Sequence, residues 1–348
     1  MHPRARVSAA ADERLVCRWD LDKTYLQSEF ETLREMMRIP FQKGEDKVAA
    51  PGVAALIRGM RETALSRGRS IRVYFVSASP PQIGRAIRRK LELDGIVYDG
   101  IVFKNQLHRL MRGKFRHLRE QVGYKLTELL AARRDEPPAA REYLFGDDWE
   151  SDPLIYSLYA DVVARRVDAA DLGAVLRAVR VDPPLIERAC KLAAELEPLE
   201  AVARIFINLE RPTPPAKLRA YGARLVPTFN YLQTAACLYA DDVLSAAGVM
   251  QVARSLVEDS SYTPERLTNS LSDITRRGHL PAAAAAALRG ALRAAALLPP
   301  PAPPGLAERW RGWRAQRRAW TTPVAPAPAL IDYRTMVGLE IPADPATE

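Results

Sequence analysis

The chain has 348 residues, 48% of them apolar, and 51 Lys and Arg against 42 Asp and Glu, for a net charge of +9. That length holds two domains, each able to bury a core. The basic balance favours anionic partners such as phosphate esters, nucleic acid or acidic lipid surfaces. Three widely spaced cysteines, Cys17, Cys190 and Cys237, argue against a disulfide scaffold or a cysteine zinc site and fit a reducing compartment. No run of about 18 apolar residues is available for a spanning helix, and residues 1–13 lack the apolar centre of a secretory signal. A cytoplasmic protein is expected.

Residues 1–13 read as a disordered lead-in. From Arg14 the string RLVCRWDLDKTYL sets a short apolar run, the length of a buried strand, against Asp20, Asp22 and Thr24. Two carboxylates at the carboxyl end of a buried strand are costly without a cation, and that end is where open α/β sheets bind ligands. Pro51-Gly52 opens a helix over Val53–Ser66, and Ile71–Val76 reads as the next strand, ending at Ser77. The Ser77 hydroxyl and the amides beyond it, from Ala78 on, suit an anion cradle at a helix start, or equally an ordinary N-cap.

A basic helix follows at Ile83–Leu93, then a strand or hairpin at Tyr98–Phe103. Between Ile101 and Arg119 lie six Lys or Arg and two His, with no acid. This is either a solvated face or an attractor for an anionic substrate or membrane headgroup. A helix is expected over Lys125–Arg133 and a strand at Glu142–Phe145. The strand leads into Gly146-Asp147-Asp148-Trp149-Glu150-Ser151-Asp152-Pro153 and a helix over Asp152–Tyr159. Hard oxygen ligands at strand ends suit Mg²⁺; Asp147 is the best direct ligand here, with Asp148 as alternative.

These motifs, in this order, resemble the haloacid dehalogenase (HAD) superfamily of phosphohydrolases. The strings VSASPPQIGRAIRRKLELDG and GDDWESDPLIY, with WDLDKT, are most similar to the catalytic domain of the App1-type phosphatidate phosphatases, over about residues 14–166. The resemblance implies a parallel, Rossmann-like HAD core without a large cap. It implies a Mg²⁺-dependent phosphomonoesterase in which Asp20 attacks phosphorus and Asp22 serves as acid and base. Thr24, Ser77, Ala78 and Lys125 would hold the phosphoryl oxygens, with Lys114 as competitor for the lysine. Asp20, Asp22 and Asp147 would hold the metal, backed by Asp148 and Asp152. The open site points to a bulky substrate, a lipid phosphate first. Protein or nucleic-acid phosphate ends, or a non-catalytic module of the same fold, are the alternatives. Lys23 and Trp149 depart from the family pattern at the pocket mouth.

The expected organisation is a phosphatase domain over 14–167, a helical domain over 168–298, and a Pro-rich spacer with a basic, aromatic tail over 299–348. Asp161–Val167 reads as a last strand. Helices are expected at Leu172–Val181, Pro184–Glu197, Leu199–Leu209, Pro214–Arg224, Pro227–Glu258, Thr263–Arg277 and Pro281–Leu297, with Asp241 and Asp242 solvated. The tail's Trp310, Trp313 and Trp320, interleaved with five arginines, suit docking on the protein itself or peripheral contact with an anionic membrane.

Overall fold

A computed structural model of the chain describes residues 14–21, 24–25, 49–77, 84–103, 114–149, 151–211, 213–259, 262–300 and 331–340, without the side chains of 114–120, 259 and 338–340. The lead-in, Asp22, Lys23, Ala78, the run 104–113 and the Trp310–Trp320 stretch therefore lie outside the described residues, as does the side chain of Lys114.

Among the described residues six strands form one parallel sheet: β1 (Leu15–Asp20), β2 (Ile71–Ser77), β3 (Gly100–Phe103), β4 (Arg141–Asp147), β5 (Val202–Asn208) and β6 (Leu225–Thr228). Their order is β3-β2-β1-β4-β5-β6. The chain thus winds outward one way from β1 and the other way from β4. The carboxyl ends of β1 and β4 flank the switch point, where such sheets open a crevice. The α/β parallel architecture expected from the motifs is what is seen, with further helices after the sheet.

Helices cover both faces. On one lie α1 (Val53–Ser66), α2 (Gly84–Leu93), α7 (Tyr231–Ala240), α8 (Ala246–Asp259), α9 (Pro264–Arg276) and α10 (Ala282–Ala294). On the other lie α3 (Lys114–Arg134), α4 (Asp152–Val163), α5 (Ala169–Ala178), α6 (Pro183–Glu195) and α11 (Tyr333–Glu340). Strand alternation divides the core between the faces: Trp19, Phe145 and Phe206 point to the first, Leu144, Ile205 and Ile207 to the second. Trp19 stacks on Phe145 at 3.7 Å between centroids, and Phe145 on Phe206 at 5.3 Å. This aromatic ladder ties β1, β4 and β5 together beneath the crevice.

Several elements differ from the sequence expectation. Asp161–Val167 is no strand: α4 runs to Val163 and a turn follows. Every residue of α4 is buried, so its apolar run lacks the 3.6-residue period that marks an exposed helix. Leu199–Leu209, expected helical, contains strand β5. Its last four residues, Ile205 to Asn208, are buried on both faces, which removes the alternation that would have marked it. Pro227–Glu258 is not one helix but β6, α7 and α8. The break falls at Asp241–Ser245, where Asp242 has a left-handed φ of 62° and Asp241 receives both arms of Arg204 at 2.6 and 2.7 Å, so Asp241 is not a solvated residue. Pro215–Tyr221 is a 3₁₀ segment. The stretch 168–298 thus supplies two strands of the sheet as well as helices.

A buried ionic group stiffens the second face. Glu142 on β4 accepts from Arg18 at 3.2 and 3.4 Å, from Arg133 at 3.2 Å and from the Tyr159 hydroxyl at 2.7 Å. Burial alone would raise the Glu142 carboxyl; Arg18, Tyr159 and Arg133 together hold it below the ordinary range. The stability it contributes is therefore full above the unfolded carboxylate value and fades as pH falls through the lowered native one. Glu142→Gln, which strands two buried guanidinium groups, is expected to cost about 3–5 kcal/mol in urea unfolding at pH 7. The gap to wild type is expected to narrow in acid, and an unchanged midpoint at pH 7 would contradict this account.

Candidate active site

At the switch point the carboxyl ends of β1 and β4 bring together Asp20, Asp147 and Asp152, all fully buried. One carboxylate oxygen from each lies within 4.8 Å of those of the other two. Asp20 closes β1 and Asp147 closes β4, while Asp152 is the first residue of α4. Between Asp20 and Asp152 sits the Lys125 ammonium, 2.7 Å from Asp20 Oδ1 and 2.8 Å from Asp152 Oδ1. The Thr24 hydroxyl lies 3.5 Å from Asp20 Oδ2 and 3.4 Å from Asp147 Oδ2. Ser77, buried at the end of β2, is beside them: its neighbour Val76 pairs with Asp20 and accepts the Leu21 amide.

The local sequence explains these positions. Lys125 is not at a helix start as expected, because α3 begins eleven residues earlier, at Lys114. Gly123 marks a close approach instead: a Cβ there would stand 2.4 Å from Val181 Cγ1. Mid-helix placement gives Lys125 a rigid base and a side chain that crosses the apolar interface before reaching the carboxylates. Gly146 has a similar role. A Cβ there would stand 2.3 Å from Asp152 Oδ2 and 2.7 Å from its Cβ, so glycine is what lets Asp152 lean back over β4. Asp152 Oδ2 then accepts the Asp147 amide at 3.4 Å.

Asp147 and Asp148, which the sequence left as alternatives, face different partners. Asp147 Oδ1 accepts the Trp149 amide at 2.6 Å within the cluster. Asp148 Oδ1 accepts the amides of Glu210 and Arg211, at 2.8 and 3.0 Å, and so braces the loop after β5. Sequence reasoning missed two residues near the site. Arg211 lays its guanidinium 4.0 Å from the centroid of the half-exposed Trp149 ring. Tyr231, at the start of α7, reaches Thr24. Neither sits in a motif, and only the sheet order brings them near β1 and β4.

Chemically, three buried carboxylates this close repel one another unless cations intervene. Lys125 answers part of that demand, and an all-oxygen donor set at strand ends fits a hard divalent cation. Burial pushes the Tyr156 and Tyr231 hydroxyls well up, and nearby carboxylates add to it, Asp152 for Tyr156 and Glu210, Asp147 and Asp20 for Tyr231. Both phenols therefore stay neutral donors, Tyr156 to the Phe145 carbonyl at 3.3 Å. Gly146→Ala, in a strand backbone that accepts alanine, is expected to displace Asp152 and lower turnover by about 10²-fold. Its melting transition should remain cooperative; near-normal turnover would show that Asp152 is not needed where it stands.

Residues 19–171 match the family model described as the catalytic domain of phosphatidate phosphatase APP1, so the resemblance drawn from the motifs is shown over that stretch. The match supports a phosphatase, that is, a phosphoric monoester hydrolase, and the HAD-like superfamily is consistent with this family. No curated protein and no solved structure matches the chain. Among the described residues no helix is long and apolar enough to cross a membrane.

Proposed function

We propose that this phosphatase-type chain hydrolyses a lipid phosphomonoester, phosphatidate or a close relative, through a phosphoryl-enzyme formed on Asp20. The observation that carries the reading is the Asp20–Lys125–Asp152 ion network beside Asp147 at the switch point. A carboxylate attacks an anionic phosphate only where fixed positive charge offsets the repulsion. Lys125 is that charge, and it also holds the nucleophile's orientation.

Asp20 Oδ attacks phosphorus as the bond to the leaving alkoxide breaks. Asp22, which follows it by two residues, gives that oxygen its proton. Asp22 then takes a proton from water as the water oxygen attacks phosphorus. The Asp20–phosphorus bond breaks, releasing phosphate and restoring the carboxylate. Ser77, the Ala78 amide and Lys125 hold the non-bridging oxygens; Thr24 orients the Asp20 and Asp147 carboxylates. Mg²⁺, held by Asp20, Asp147 and the Asp22 carbonyl, would supply charge neutralisation on the phosphoryl oxygens when bound. Asp148 backs the site by securing the 210–211 loop.

The lipid assignment has two supports, the family match and the mouth of the site. Trp149 is 43% exposed two residues past Asp147, with the Arg211 cation on its face. An aromatic ring with an apolar body and a cation beside it suits a substrate presented at an anionic interface. Asp20→Asn is expected to lower Mg²⁺-dependent phosphate release from phosphatidate micelles by on the order of 10⁴-fold. A panel including phosphopeptides and end-phosphorylated oligonucleotides decides the substrate class, and turnover confined to either of those would sink the lipid reading. Arg211→Ala is expected to lower the ratio of vesicle-borne to soluble short-chain turnover about tenfold. An unchanged ratio would remove the mouth from the argument.

A further inference from the structure

Tyr231 opens α7, directly after β6, sixty residues beyond the end of the family match. Its ring is buried and leans on Trp19 at 6.2 Å between centroids. Its hydroxyl donates to the Thr24 carbonyl at 2.5 Å. Thr24 is the residue whose own hydroxyl stands between the Asp20 and Asp147 carboxylates. Thr24 is thus gripped from the far half of the chain.

The grip is rigid at its base. Asn230 caps α7 by accepting the Gln233 amide and donates to Ser270 of α9. Gln233 accepts the Phe229 amide at 2.8 Å and donates to the Ser270 carbonyl at 3.0 Å and to Asp273 at 3.1 Å. Such a satisfied network holds the first turn of α7 in one place. Next in the chain, Tyr25 donates to Asp94 at 2.6 Å, and its carbonyl accepts the Ala50 amide. A phenol held this firmly limits where Thr24 can sit, and with it the two carboxylates.

We infer that Tyr231 is a positioning residue of the phosphoryl-transfer site, acting through the Thr24 carbonyl, so that the working catalytic unit extends past residue 171 to the start of α7. The inference rests on the phosphatase reading of Asp20. Its role is geometric: Tyr231 touches neither substrate nor the reacting atoms, and fixes Thr24 beside the Asp20 and Asp147 carboxylates.

The test uses the full chain. Tyr231→Phe keeps the ring and removes only the donor. The expected result is a kcat about ten- to a hundredfold lower, with KM little changed and the melting temperature down by only about 2–4 °C. Backbone amide exchange in the peptide covering residues 19–26 is expected to quicken about tenfold, with β4 unaffected. Against Thr24→Ala, the same substitution should cost almost nothing more, since both act on one element. Unchanged kcat, or losses that multiply independently in the double variant, overturn the inference. Wild-type inactivity on every phosphomonoester would overturn the phosphatase reading instead; the exchange comparison, which needs no substrate, then still decides whether the tether exists.

Discussion

Everything at this site depends on one buried ammonium. Lys125 lies between Asp20 and Asp152, carboxylates from a strand and a helix that could not otherwise share a water-poor crevice. Its ionic contacts set the distance between α3, α4 and β1. The charge that makes the folded arrangement tolerable is, in the proposed reaction, the same charge that an attacking carboxylate requires beside it. On that proposal, stability and reactivity are coupled in one residue.

Around that ion network the molecule clears space and removes freedom. Gly146 gives up a side chain so that Asp152 can fold over β4, and Gly123 does so where α3 meets Val181. Beneath, the Trp19–Phe145–Phe206 ladder prevents the strand ends from shearing. Behind, the Arg18–Glu142–Arg133 group joins β1, β4 and α3 through paired charges far from water. These devices fix the strands and helices that carry Asp20, Lys125, Asp147 and Asp152.

The far half of the chain is part of this machinery. Strands β5 and β6 continue the sheet outward from β4, and their carboxyl ends carry the loops that meet Asp148, Trp149 and Thr24. The helix α11, which follows the Pro-rich stretch, also returns to the body: Tyr333 donates to Asp161 at 2.6 Å on the second face. Residues after 171 thus brace the same crevice that residues before it furnish with acids.

What the sequence determined alone was local. An apolar run ending in Asp20-x-Asp22, a second run ending in Ser77, and Gly146-Asp147 before Asp152 each mark a strand end with chemistry attached, because strand burial and polar punctuation are readable residue by residue. Tertiary structure decided whatever depends on distant partners. Strand β5 was hidden because burial of its carboxyl half on both faces erases alternation, and the last turn of α4, read as the start of a strand, because burial all round erases the helical period. Asp147 and Asp148 are chemically identical in sequence; only the strand pleat sends one into the cluster and the other onto residues 210–211. Arg211 and Tyr231 carry no motif at all. They reach the site because the sheet places β5 beside β4 and β6 beside β5, long-range pairings that no short stretch of sequence encodes.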